Sequence, residues 1–219
     1  MMLICPPGGC RPQADTRLLV HALHQAGVPR HSRVLDVCTG TGVVAIQSAR
    51  AARAASVTAV DISRSALAAA WLNSRVRGLD IELILGDFRK VLRGRRFDVI
   101  VTNPPYVPTA AETPPRGIAR CWDAGHDGRS AIDALCRLAP ELLSGTGMLL
   151  MVHSALCGTD TTLTRLRQGG LKTAVVARTS IPFGPVLRRR AEWLTARQLI
   201  HPGQQHEELV VIRADRPRR

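Results

Sequence analysis

Three aspartates and one four-residue run carry the reactive chemistry of this sequence. Asp36 lies in VLDVCTGTG, Asp61 in AVDIS and Asp87 in GDF, and Asn103 to Tyr106 read NPPY directly after FDVIVT. Each acid follows or ends a short β-branched run, the place where side chains project beyond the carboxyl end of a parallel strand toward a ligand. Gly40 and Gly42 permit a tight turn and close backbone approach, and the N–H groups opening the following helix attract a carboxylate or phosphate. Asp36 is then either a turn carboxylate or the partner of an α-ammonium group. Asp61, with Ile62 beside it, follows at roughly the ~20-residue interval at which an acid grips a ribose diol, or else caps the next helix. Asp87 can accept from an adenine amine. Phe88, one of seven aromatic residues, either covers a base or belongs to the core.

The NPPY run is a rigid acceptor. Pro104 and Pro105 fix φ and offer carbonyls without N–H groups, and the Asn103 side chain offers another carbonyl. Two acceptors can hold both hydrogens of a planar –NH₂ group and orient its nitrogen toward an electrophile. Tyr106 can lie against the plane of the held group.

These residues need a sheet edge to bring them together. An amphipathic helix is expected over 13–25, strands over 33–37, 56–60, 81–85 and 97–102, and helices over 43–54 and 63–77. A Pro- and Gly-rich loop spans 103–127. A helix over 128–143, a strand over 147–153, a helix over 159–168 and strands over 171–179 and 208–214 complete the pattern. Strands alternating with helices imply an α/β fold, a mostly parallel sheet with helices on both faces. A single domain over 1–219 is expected, with 1–12 and 215–219 frayed. The basic stretch 182–203, holding Arg188, Arg189, Arg190 and Trp193, reads as a solvated helix or as a lid facing substrate.

Composition narrows the class. Of 219 residues 45% are hydrophobic, enough for a sizeable core, which excludes intrinsic disorder. No run approaches the ~20 apolar residues that span a bilayer, and MMLICPPGGC has no basic leader, so a cytoplasmic protein is expected. The six cysteines contain no CxxC pair, so free thiols are expected, and Cys5 and Cys10 do not read as a zinc site. His21 and His24 share a helix without a third ligand, and no metal is expected. The net charge of +13 fits an anionic partner such as a ribosomal complex. Only Lys90 and Lys172 are lysines, however, and an arginine and alanine excess also follows from GC-rich coding.

In this order, VLDVCTGTG, AVDIS, GDF and FDVIVTNPPY resemble the class I S-adenosylmethionine-dependent methyltransferases. NPPY resembles the branch that methylates amino groups, which includes adenine methyltransferases and the HemK-related glutamine methyltransferases of release factors. Two further stretches resemble the HemK-related proteins: RPQADTRLL (11–19), whose D-T pair opens a helix near the cofactor's methionine end, and WDAGHDGRSAIDAL (122–135). The resemblance runs from about Arg11 to Ala214 and is nearest the short form without an N-terminal helical domain. It implies a Rossmann-like seven-stranded sheet and S-adenosylmethionine as cofactor. The implied contacts are Gly40 and Gly42 at the methionine part, Asp36 at its amine and Thr16 at its carboxylate. Asp61 meets the ribose, Ile62 beside it the cofactor, and Asp87 and Phe88 the adenine, and Asn103 borders both sites. Asn103, Pro104, Pro105 and Tyr106 are the implied catalytic residues. The implied acceptor is a protein glutamine, above all in the GGQ loop of a release factor; the alternatives are an adenine amino group in DNA or RNA and a small molecule. Cys38 departs from the family, where glycine or another small residue is usual.

Overall fold

A computed structural model of the chain describes residues 3–5, 12–52 and 56–217. Seven strands form one sheet in the order β3-β2-β1-β4-β5-β7-β6. They are β1 (Arg33–Val37), β2 (Ser56–Asp61), β3 (Glu82–Leu85), β4 (Phe97–Thr102), β5 (Leu143–Ser154), β6 (Lys172–Pro182) and β7 (His206–Asp215). The first five run parallel, and β7 lies antiparallel between β5 and β6. This is the mostly parallel α/β sheet that the alternating pattern implied and the Rossmann-like seven-stranded sheet that the resemblance implied.

Helices α1 (Ala14–Gln25), α2 (Val43–Ala52) and α3 (Arg64–Arg75) belong to the first half of the chain. The short α4 (Phe88–Val91), which no periodicity announced, is capped by Asp87. Then come α5 (Ser130–Leu142), α6 (Thr159–Gln168), α7 (Pro185–Arg189) and α8 (Ala191–Ala196). Strand alternation divides the interior in two. Val34, Val99, Val101, Leu150 and Val211 pack with Leu19 and Leu23 of α1 and Ile46 of α2. Leu35, Ile100, Leu149, Met151 and Ile212 pack with Ile132 and Leu135 of α5 and Leu166 of α6. The α5 stripe Ile132, Leu135, Cys136, Ala139 and Leu142 follows the helical repeat.

Four expectations are corrected. The stretch 182–203 is no solvated helix: Phe183, Leu187, Leu194 and Ile200 bury themselves with Val107 in a third apolar cluster against Tyr106 and Trp122. Asp215 does not fray, because it pairs with Met148 and Lys172 within the sheet, and the Arg216 N–H bonds the Gly147 carbonyl at 2.9 Å. At the other end Ile4 is tied to buried Asn73 by two 2.9 Å hydrogen bonds. Cys121 is disulfide-bonded and not a free thiol, whereas Cys5, Cys38, Cys136 and Cys157 are free. Cys10 lies outside the described residues. His21 and His24 are exposed on α1. No helix among the described residues is long and apolar enough to cross a membrane.

Candidate active site

The registers place the four sequence signals on one sheet edge. Val37 of β1 is level with Val60 of β2 and Thr102 of β4, and Asp61 is level with Leu85 of β3. Asp36, Asp61, Asp87 and Asn103 therefore emerge side by side. Thr102 fastens the centre, its hydroxyl donating to the Val37 carbonyl at 2.9 Å.

The glycine turn is built around Asp36. Its Oδ2 accepts the Thr39 hydroxyl at 2.6 Å and the Ala45 N–H at 2.9 Å, so this buried carboxylate braces both ends of the turn. Burial, only partly offset by those bonds, raises its pKa to about 7. Gly42, at φ +83°, brings the turn against α3, where an added Cβ would stand 3.0 Å from that of Ala70. Gly40 has φ +54° and nothing within 4 Å of an added Cβ, so its missing side chain leaves open space at the strand ends. Asp61 borders that space. Its Oδ2 accepts the Gly40 N–H at 2.9 Å and its Oδ1 the Ser63 N–H at 2.8 Å, while burial raises its pKa. Ile62 beside it is 52% exposed. Asp87 forms an ion pair with Arg89 at 2.6 Å, whose hydrogen bond lowers its pKa, and Phe88 packs partly against the core. Cys38 occupies the left-handed region at φ 61°, and burial with the nearby acids pushes its thiol pKa well up.

The NPPY loop is held by residues distant in sequence. The Asn103 Nδ2 donates to Thr16 Oγ1 at 3.3 Å, and the Tyr106 hydroxyl donates to Asp15 Oδ2 at 3.0 Å. Thr16 thus stands at Asn103, between the loop and the first turn of α1. Asn103, Pro105 and Tyr106 are half-buried and Pro104 is buried. Past the motif, Val107 bridges to Asp123, its N–H bonding the Trp122 carbonyl at 2.6 Å. The Cys157 thiol donates to the Tyr106 carbonyl at 3.0 Å. Burial, then Asp15 and Glu207, hold the Tyr106 phenol well above its ordinary pKa, so it remains a donor.

Several supports escaped sequence reasoning. Gly128, at φ +72°, lets the loop after NPPY close on itself, because an added Cβ would collide with the Tyr106 carbonyl and lie 2.8 Å from Cys157 Sγ. Arg129 is buried, donating to the Cys157 carbonyl and to Thr162 while pairing with Asp133 at 2.8 Å. Arg190 of the basic stretch pairs with buried Asp123 at 2.7 Å and donates to the Pro108 carbonyl at 2.8 Å. Glu207 is buried beside Ser154 and Asp15, its pKa raised chiefly by burial, and its Oε2 finds no hydrogen-bond partner among the described residues. Asp15 lies in the D-T pair and Gly128 in the stretch 122–135, but neither motif signalled these contacts, and nothing local pointed to Arg190 or Glu207.

Comparison with known proteins places this geometry in context. Residues 11–116 match the family model described as the methyltransferase small domain. A protein of Methanocaldococcus jannaschii, provisionally named a protein N5-glutamine methyltransferase, is 30% identical over 173 residues, covering 78% of this chain and 85% of that one. The release factor glutamine methyltransferase of Bordetella pertussis is 34% identical over 168 residues, 74% of this chain and 62% of that longer protein. Among solved structures, the E. cuniculi Mtq2–Trm112 complex responsible for methylation of the termination factor eRF1 aligns with a TM-score of 0.64 at 21% identity. The alignment covers 96% of this chain and 100% of that one, and it shows a shared fold.

Proposed function

The chain belongs to the family of S-adenosylmethionine-dependent protein-glutamine methyltransferases, and from that premise we propose that it methylates the side-chain amide nitrogen of a protein glutamine, in the GGQ loop of a release factor. The observation that carries the reading is that Asn103 emerges beside the glycine turn and its acids on one sheet edge, with Tyr106 of the same loop tied to Asp15. S-adenosylmethionine supplies an electrophilic methyl group on a sulfonium. The residues fit that molecule: open space at Gly40, the Asp61 carboxylate on its border, and exposed Ile62 beside it. In this reading Gly40 and Gly42 receive the methionine part and Asp36 acts through the turn it braces. Thr16 lies near the carboxylate, Asp61 takes the ribose hydroxyls, and Asp87, once it exchanges Arg89 for the adenine amine, works with Phe88.

An amide nitrogen is a weak nucleophile because its lone pair is delocalised into the carbonyl. The Asn103 side-chain carbonyl and the Pro104 carbonyl accept its two hydrogens, Pro105 stiffens the turn, and Tyr106 lies against the amide plane. Methyl transfer would join the nitrogen to the carbon that S-adenosylmethionine supplies, the C–S electron pair going to sulfur, and one of the two protons held by Asn103 and Pro104 would leave to solvent. Held acceptors stabilise the positive charge growing on those N–H groups, an effect of about 3 kcal/mol for one well-placed hydrogen-bonding group.

The test incubates the protein with labelled cofactor and a release factor, with or without its GGQ glutamine replaced. Label should enter the intact factor alone. Asn103→Ala should lower kcat by about 10²- to 10³-fold while binding of the demethylated cofactor changes little. Label that persists after the glutamine is replaced overturns the acceptor assignment, and sequence-selective labelling of DNA or RNA would favour an adenine amino group instead.

A further inference from the structure

We propose that Asp15 is the positioning residue of the acceptor site: its one carboxylate sets which way the Asn103 amide faces and where the Tyr106 ring lies. The inference rests on the glutamine-methylating reading above and names a residue outside the cofactor and NPPY sets. Asp15 opens α1, and its two oxygens serve opposite ends of the NPPY loop. Oδ1 takes the Thr16 N–H at 2.6 Å and the Thr16 hydroxyl at 3.2 Å. Oδ2 takes the Tyr106 hydroxyl at 3.0 Å, across 91 residues of sequence. An aspartate serving only to begin a helix would spend its oxygens on local N–H groups; this one gives half of itself to the catalytic loop.

Hydrogen-bond polarity makes the link directional. An ionised carboxylate only accepts. The Thr16 hydroxyl has one proton and spends it on Asp15, so toward Asn103 it can only accept. It does so, taking the Asn103 Nδ2 at 3.3 Å. The –NH₂ end of the Asn103 amide is thereby committed to α1, and the carbonyl end is left for the acceptor, the end that must receive an N–H. Reversing the amide would set two lone pairs against each other at Thr16 and present a donor to a donor. Tyr106 is fixed by the same carboxylate, with Glu207 of β7 and Cys157 after β5 as the other titratable groups acting on its phenol.

Tyr106 is the sole tyrosine of the chain, so ¹³C-tyrosine labelling reports on it without relying on activity. In Asp15→Asn the phenol loses a negative neighbour and an ionic acceptor, and its ionisation should move to lower pH. With a release factor as acceptor, Asp15→Asn should lower kcat at least about thirtyfold, leaving binding of the demethylated cofactor and the unfolding midpoint near wild type. Thr16→Val should reproduce the kcat loss and Thr16→Ser, which keeps the hydroxyl, should restore most of it. On an Asn103→Ala background, Asp15→Asn should cost much less than it does alone. An unmoved tyrosine titration, or wild-type kcat in Asp15→Asn, overturns the proposal even where the wild type methylates glutamine. A wild type that labels no glutamine acceptor overturns the glutamine reading instead, and the titration still decides whether Asp15 governs Tyr106.

Discussion

The two halves of the sheet edge are built differently. On the side of β1 to β3, the acids mostly bond near themselves in sequence: Asp36 to Thr39 and Ala45, Asp61 to Ser63, and Asp87 to Arg89, with longer ties at Asp61, whose side chain takes the Gly40 N–H across 21 residues and whose carbonyl takes the Gly86 N–H. On the side of β4 to β7, the NPPY loop is held from afar. Cys157 reaches Tyr106 across 51 residues, Arg190 reaches Pro108 across 82, and Thr16 and Asp15 reach Asn103 and Tyr106 across 87 and 91. The first half is a turn held by its own carboxylates and by the adjoining β2 and α3, where the Val60 carbonyl takes the Thr39 N–H and Asn73 donates to the Thr41 carbonyl. The second exists only when the whole domain is folded, so its geometry is exposed to damage at distant positions.

Matched glycine substitutions give the largest contrast. Gly128→Ala adds a Cβ at φ +72° that collides with the Tyr106 carbonyl, a backbone atom that cannot swing away. It should cost about 3–5 kcal/mol and most of the methyl-transfer activity. Gly40→Ala, at φ +54° with nothing within 4 Å, meets only the left-handed backbone penalty of about 1 kcal/mol. Its damage should appear in cofactor binding, because the new methyl fills the open space. Denaturant unfolding of both variants is the measurement, and equal stability losses would erase the distinction between the halves.

The same division governs what was legible in the sequence. The bounds of β1, β4 and α6 follow from β-branched runs and helical periodicity, and the acids and NPPY stand at their ends because strand ends face a ligand in such sheets. Asp15 was visible only as half of a D-T pair, with no sign that it reaches Tyr106. The basic stretch after β6 looked solvated because Arg188, Arg189 and Arg190 are consecutive. Its apolar residues Leu187, Leu194 and Ile200 are spaced over two short helices and a turn, which no single helical repeat describes. Arg190 owes its place to Asp123, a pairing that only tertiary structure creates.

A smaller effect lies in the first half and reads through pH. Asp36 keeps its proton up to about pH 7 when folded, against an ordinary value of 3.8. The folded state then binds more protons than the unfolded chain between those limits, so its contribution is complete below about pH 4 and is lost as pH rises through about 7. The loss for the cofactor-free protein should be about 2–4 kcal/mol. Asp61 and Glu207, also raised by burial, act in the same sense. Urea unfolding at pH 5 and pH 7.5 should therefore show a drop that Asp36→Asn reduces, and an unchanged slope in that variant would place the titration elsewhere.

The smallest expected effect concerns the residue between those acids. Cys38 holds φ 61°, a conformation that costs an L-residue roughly 1–2 kcal/mol and glycine almost nothing. Cys38→Gly relieves that strain, but it frees the unfolded chain and removes a side chain packed partly against the core, each worth about 1 kcal/mol or less. These effects nearly cancel, so Cys38→Gly should unfold within about 1 kcal/mol of wild type and bind the demethylated cofactor equally well. Cys38→Val keeps the apolar volume but places a β-branched residue at positive φ, and should lose about 2 kcal/mol or more. If valine proves the milder change, packing of the thiol outweighs the backbone at this turn, and the first half depends on its surroundings as much as the second.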